Sequence, residues 1–194
     1  MIYCDPPWAF EMYSAKGYEK SPQEHYDCMS VDALKALRDP IVFATAPNAV
    51  CIMWATFALL PAALDLTRTT RGFQYKTGGP SIKRATNGNP AMGIGYVLRS
   101  SAELFLIGTL GAPRTKNKGQ RNLLLTGEWS QRPEDIDSLI VDSLRREHLR
   151  KPDEMIPLIE NLFDGPYLEL FARTQRPGWN GWGNQTDKFT EAAA

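Results

Sequence analysis

The chain is poor in the residues that make disulfide frameworks and metal sites. It has three cysteines and two histidines. Cys4, Cys28 and Cys51 are odd in number and lack metal-ligand spacing, and His25 and His148 add no second ligand pair, so a metal centre is not expected. The thiols are read as reduced, in a cytoplasmic protein. No apolar run is long enough to span a bilayer, and no basic segment followed by an apolar one opens the chain, so neither a membrane span nor a secretory signal is expected. The formal net charge is zero, which argues against a large nucleic-acid footprint but leaves local basic patches free to act. There is no G-x-G-x-x-G fingerprint, so a nicotinamide or flavin reading has no support. Internal repeats and low-complexity tracts are also missing. A length of 194 residues suits one domain, 1–194.

What remains alternates between strand-like apolar runs and helical patterns, which predicts an α/β fold with a mostly parallel sheet flanked by helices. Ile2-Tyr3-Cys4 reads as a short buried strand, Ala49 to Trp54 as a second, and Gly72 to Lys76, Glu103 to Thr109, Ser138 to Ser143 and Tyr167 to Ala172 as four more. Ser30 is an N-cap for a short helix, Val31 to Leu37, and Phe57 to Leu66 reads as helical despite Pro61. Pro152 is placed to open another helix, with Asp153 and Glu154 in its first turn and Pro157 early enough to kink it or delay its start. Three long loops are expected near a substrate: 9–29, the Gly/Pro/Asn-rich stretch 77–98, and the basic stretch 111–121. The tail from Pro177 to Gln185 reads as turns with aromatics.

The most informative stretch is Asp5-Pro6-Pro7-Trp8, directly after the first strand. Two prolines stop that strand because neither donates an N–H and each fixes its own φ. The stiff corner falls where open α/β sheets bind ligands, at the carboxyl end of a strand. It offers a carboxylate, proline carbonyls that no ladder uses, and an indole face. A flat ligand carrying an amino group suits that set: its N–H groups go to the oxygens and its ring to the indole. The basic residues Lys83, Arg84, Arg114 and Lys116 are candidates for phosphate contact, although such runs are commonly just solvated.

The corner has company downstream: Gly95-Tyr96, Ala102-Glu103-Leu104-Phe105-Leu106, Arg150-Lys151-Pro152-Asp153-Glu154, Leu168-Glu169-Leu170-Phe171-Ala172-Arg173, Pro177-Gly178-Trp179 and Gly183-Asn184-Gln185. In this order the blocks resemble the DPPW-type (MT-A70-like) N6-adenine methyltransferases. The resemblance implies a Rossmann-like fold in permuted motif order, with S-adenosylmethionine as cofactor. It implies Asp5, Pro6, Pro7 and Trp8 as catalytic, Tyr26 beside the substrate adenosine, and Lys151, Arg173, Asn184 and Gln185 on the cofactor side. Lys151, at the start of the Pro152 helix, would face the methionyl carboxylate, and Glu169 would support the sheet. Family members usually carry a segment before the DPPW strand that helps hold the cofactor adenine; here the chain starts at that strand, so weaker affinity or substitute contacts are expected. The implied substrate is nucleic acid, DNA favoured over RNA, in a bacterial or phage-infected cytoplasm. An RNA methyltransferase and an inactive scaffold subunit are the alternatives, and homo- or hetero-oligomers stay open.

Overall fold

The computed structural model describes residues 1–9, 27–69, 72–83, 90, 93, 97–122, 124–126, 141–143 and 151–188. Its frame is a sheet of eight strands: β1 Ile2–Cys4, β2 Ala49–Ala55, β3 Gln74–Lys83, β4 Ala102–Leu110, β5 Leu124–Thr126, β6 Val141–Ser143, β7 Tyr167–Leu170 and β8 Trp179–Trp182. Their order is β6-β5-β3-β4-β2-β1-β7-β8. Strand β1 lies between parallel neighbours β2 and β7, and β8 continues parallel to β7. Only β4 runs against its neighbours, β2 and β3. The mostly parallel α/β sheet expected from the alternating pattern is therefore present.

Position in the sheet explains the composition of the central strands. Every residue of β1 and β2 is buried, as continuous apolar runs covered on both faces should be. Side chains alternate between the faces and make two cores. Ile2, Cys4, Cys51, Met53 and Leu106 pack on one face with Leu34, Ile41 and Leu66, from the helices α1 Val31–Ala36, α2 Arg38–Ala44 and α3 Leu60–Thr69. Tyr3, Val50, Ile52, Trp54 and Phe105 pack on the other with Met155, Ile156 and Ile159 of α4 Met155–Leu162. Ser30 caps α1 as expected, its hydroxyl accepting the Ala33 N–H at 3.1 Å.

Five elements depart from the sequence reading. Gly78-Gly79-Pro80 lies inside β3 instead of a loop beginning at 77. The glycines are there for close approach: a Cβ on Gly78 would collide with the Phe105 carbonyl, and one on Gly79 with the Asn122 carbonyl. The tail holds a true strand, β8. Trp179 buries itself there, stacked on Tyr167 at 4.8 Å, with its Nε1 donating to Glu160 Oε1 of α4 at 2.8 Å. Helix α4 begins at Met155 rather than Pro152, because residues 152–154 form a turn in which Pro152 O accepts the Met155 N–H at 3.2 Å. Pro157 then falls in the first turn, where a missing N–H costs nothing. Helix α2 and strand β5 were not foreseen.

Candidate active site at the carboxyl end of the central strands

Three strands deliver charged groups to one end of the sheet. Asp5 follows β1, two residues beyond Tyr3, and so projects to the α4 face. Glu103 stands near the start of antiparallel β4, two residues before Phe105, and shares that face. Arg173 follows β7. The chain turns there through Phe171, whose φ of 61° is left-handed, a conformation costing an ordinary side chain about 1–2 kcal/mol. Gly183 packs against that turn, and a Cβ on it would lie 2.8 Å from the Ala172 carbonyl and 2.9 Å from the Ala172 nitrogen. Ala172 N donates to Trp182 O at 3.0 Å, tying the turn to β8.

These groups meet around Lys151. Its ammonium lies 2.8 Å from Glu103 Oε2 and 3.2 Å from Asp5 Oδ1, and 5.1 Å from the centre of the Trp54 ring. Arg173 Nη2 stands 3.5 Å from Asp5 Oδ2, so the two oxygens of Asp5 face different cations. All four side chains are between 15% and 24% exposed, dry enough for these attractions to count and open enough for a ligand to reach. Burial alone would lower the Lys151 ammonium, but Asp5 and Glu103 outweigh it and hold the group above the ordinary lysine value. Alongside, Glu169 of β7 is raised by burial and pulled back by Arg176, whose Nε lies 3.3 Å from Glu169 Oε2. Beneath lies a buried aromatic layer. Trp54 Nε1 donates to Tyr3 Oη at 2.7 Å, and burial pushes the Tyr3 phenol well up.

Of the residues singled out from the sequence, the structure brings Asp5, Lys151 and Arg173 together. Asn184 and Gln185 follow β8 at the same end of the sheet, on its rim, with Gln185 Oε1 accepting from Lys188 Nζ at 3.3 Å. Lys83 closes β3 at this end too, three strands from β1, or about 14 Å. Tyr26 and Arg84 lie outside the described residues.

Several expectations are corrected. Trp8 is no open stacking face. It is 4% exposed, packed in the core, and its Nε1 donates to the Trp54 carbonyl at 3.1 Å. The large indole gains more from burial beside β2 than from solvent. The proline carbonyls are not idle: Pro7 O accepts from Met29 N at 2.7 Å, and Pro6 O from Trp8 N at 2.8 Å. Pro6 O keeps its second lone pair. Lys151 does not head a helix, since α4 starts four residues later. Arg114 and Lys116 lie at the wrong end of the sheet. Leu110, the last residue of β4, pairs with Ala49, the first of β2, so loop 111–121 leaves about 20 Å from the carboxyl ends. There Lys116 binds Asp164 at 3.3 Å and the Glu160 carbonyl at the far end of α4. The sequence alone assigns Glu103 and Arg176 no role. The signal for Glu103 was a carboxylate two residues before a core phenylalanine, in phase with the buried face.

An open, mostly parallel α/β sheet with an ionic cluster at the carboxyl ends of its central strands defines the class: a Rossmann-like fold of the methyltransferase kind. Residues 1–185 match the MT-A70 family, and the chain belongs to it. It is 27% identical to the type II methyltransferase M.MunI of a Mycoplasma species over 94% of this chain and 76% of that one. It is 26% identical to an N6-methyladenosine RNA methyltransferase of Cryphonectria parasitica over 98% of this chain and 52% of that one. It is 28% identical to a putative N(6)-adenosine-methyltransferase of Medicago truncatula over 95% of this chain, which spans only 26% of that protein.

Proposed function

We propose that the protein transfers a methyl group from S-adenosylmethionine to N6 of adenine in nucleic acid, with DNA as the polymer. The observation that carries this reading is Asp5 on its proline corner, held between Lys151 and Arg173 at the ligand-binding end of the sheet. The cluster suits the cofactor. An amino-acid zwitterion needs cations for its carboxylate and a carboxylate for its ammonium, and Lys151, Arg173 and Asp5 offer both. Asn184 and Gln185 would serve ribose hydroxyls, and Gly183 keeps the backbone bare beside them. Bound S-adenosylmethionine supplies an electrophilic methyl.

The protein's own task is positioning. The exocyclic nitrogen of adenine is a poor nucleophile because its lone pair is drawn into the ring. The Asp5 carboxylate and the spare lone pair of Pro6 O accept its two N–H groups, pulling it towards tetrahedral geometry and freeing the lone pair. The proton leaves after transfer, so no strongly tuned base is required. Holding the partners in line is worth roughly 7–11 kcal/mol. A base in a duplex must first be turned out of its stack.

DNA is preferred because the chain spans most of a relative named as a type II methyltransferase, but only about half (52%) of the relative named as an RNA methyltransferase. RNA is the second reading, favoured by that fungal similarity across nearly the whole chain. No helix of the described residues is long and apolar enough to cross a membrane. The test is tritium transfer from S-adenosylmethionine to matched adenine-containing DNA and RNA oligonucleotides. Transfer to DNA is expected, and Asp5→Asn should lower it by about 100-fold or more. An unimpaired Asp5→Asn enzyme overturns the site, and transfer to RNA alone overturns the choice of polymer.

A further inference from the structure

Arg176 joins three pieces of the site without belonging to its centre. Its Nε lies 3.3 Å from Glu169 Oε2 on β7, and its Nη2 lies 3.6 Å from Asp153 Oδ1 in the turn before α4. Its backbone carbonyl accepts the Trp179 N–H at 3.2 Å, where β8 begins. Asp153 stands two residues after Lys151, Glu169 four before Arg173, and β8 leads to Asn184 and Gln185. We propose that Arg176 is a positioning residue for methyl transfer: it locks the segments bearing Lys151 and Arg173 so that both cations stay on Asp5.

The argument is one of competition. Glu169 is 13% exposed and sits within the influence of Arg176, Asp5, Arg173 and Tyr3. While Arg176 satisfies Glu169, Arg173 remains on Asp5. With Arg176 neutralised, Glu169 loses its 3.3 Å partner and Asp153 its 3.6 Å one, while Lys151 and Arg173 remain the cations on Asp5. Arg173 is then drawn to Glu169 and away from Asp5. A planar guanidinium is suited to bridging two carboxylates from different segments, whereas an ammonium is a point charge that can recover only part of the effect.

This rests on the methyltransferase reading, so the experiment separates the two. Methyl-transfer kinetics on DNA and RNA oligonucleotides are compared for the full chain and for Arg176→Gln, Arg176→Lys and Arg176→Gln/Glu169→Gln. Arg176→Gln should lose about tenfold to 100-fold in kcat/KM. Arg176→Lys should regain part of it, and the double variant most of it, because removing Glu169's charge returns Arg173 to Asp5. Activity of Arg176→Gln should also recover as pH falls and Glu169 takes up its proton. Wild-type kinetics in Arg176→Gln, or a folded single variant that the second substitution does not improve, overturn the inference. A thermal-unfolding cycle over Arg176→Gln and Glu169→Gln tests the clamp independently of turnover: coupled effects support it and additive effects overturn it. Absence of transfer by the wild type to either polymer overturns the functional reading and leaves that cycle to judge the clamp.

Discussion

Trp8 shows how a residue can be found correctly and its use misjudged. In the sequence it is an aromatic beside the Asp5 carboxylate; in the fold it is a buried anchor that fixes the proline corner to β2 through the Trp54 carbonyl. Trp8→Ala should therefore cost about 3–5 kcal/mol in denaturant unfolding. Trp8→Phe keeps the ring but leaves the Trp54 carbonyl unpaired, and should cost about 1–3 kcal/mol while retaining most of the transfer rate. Loss of transfer in a folded Trp8→Leu protein that Trp8→Phe does not share would restore the stacking role. Lys151 gives a pH prediction. Its folded-state value lies above the ordinary lysine value of 10.5, so its stabilising contribution is complete below that pH and lost only as pH rises beyond it. Unfolding temperature should show no Lys151-dependent fall between about pH 7 and pH 10, whereas Lys151→Met should lower it throughout that range. A drop near neutrality that Lys151→Met abolishes would contradict the arrangement.

The same lesson recurs in whole elements. Gly-Gly-Pro is normally punctuation, yet at 78–80 it is part of the ten-residue β3 because β4 and Asn122 come too close for side chains. Asn122 Nδ2 also donates to the Gly78 carbonyl at 2.8 Å, holding the strand's outer edge. Gly79→Ala must move backbone, since the nearest obstruction is the Asn122 carbonyl, and should cost about 1–3 kcal/mol by chemical denaturation. A neutral result would place 77–83 back in a loop. β8 is the complementary case. Trp179-Asn180-Gly181-Trp182 has a glycine and an asparagine where strands prefer branched residues, and it becomes a strand through parallel pairing with β7 and the burial of Trp179.

At the scale of the molecule, the two ends of the sheet have different roles. The carboxyl ends of β1 and β7 and the start of β4, with Lys151, assemble the ionic cluster; the opposite end carries the loop with Arg114 and Lys116. Lys116→Ala should leave the salt dependence of oligonucleotide binding unchanged, whereas a lost phosphate contact would reduce the slope by about 0.9. It should cost no more than about 1 kcal/mol in stability, the worth of an exposed ion pair. The sequence by itself determined the α/β class, the buried central strands, the proline-stopped corner with Asp5, and the family, because these are written in local pattern, burial period and motif order. Only the tertiary structure decided which charges meet Asp5, that Trp8 turns inward, that Arg114 and Lys116 face away, and that Glu103 and Arg176 join the site. Those outcomes depend on strand order, on the direction of β4 and on contacts as far apart in the chain as Asp5 and Arg173, 168 residues, none of which is carried by the local chain.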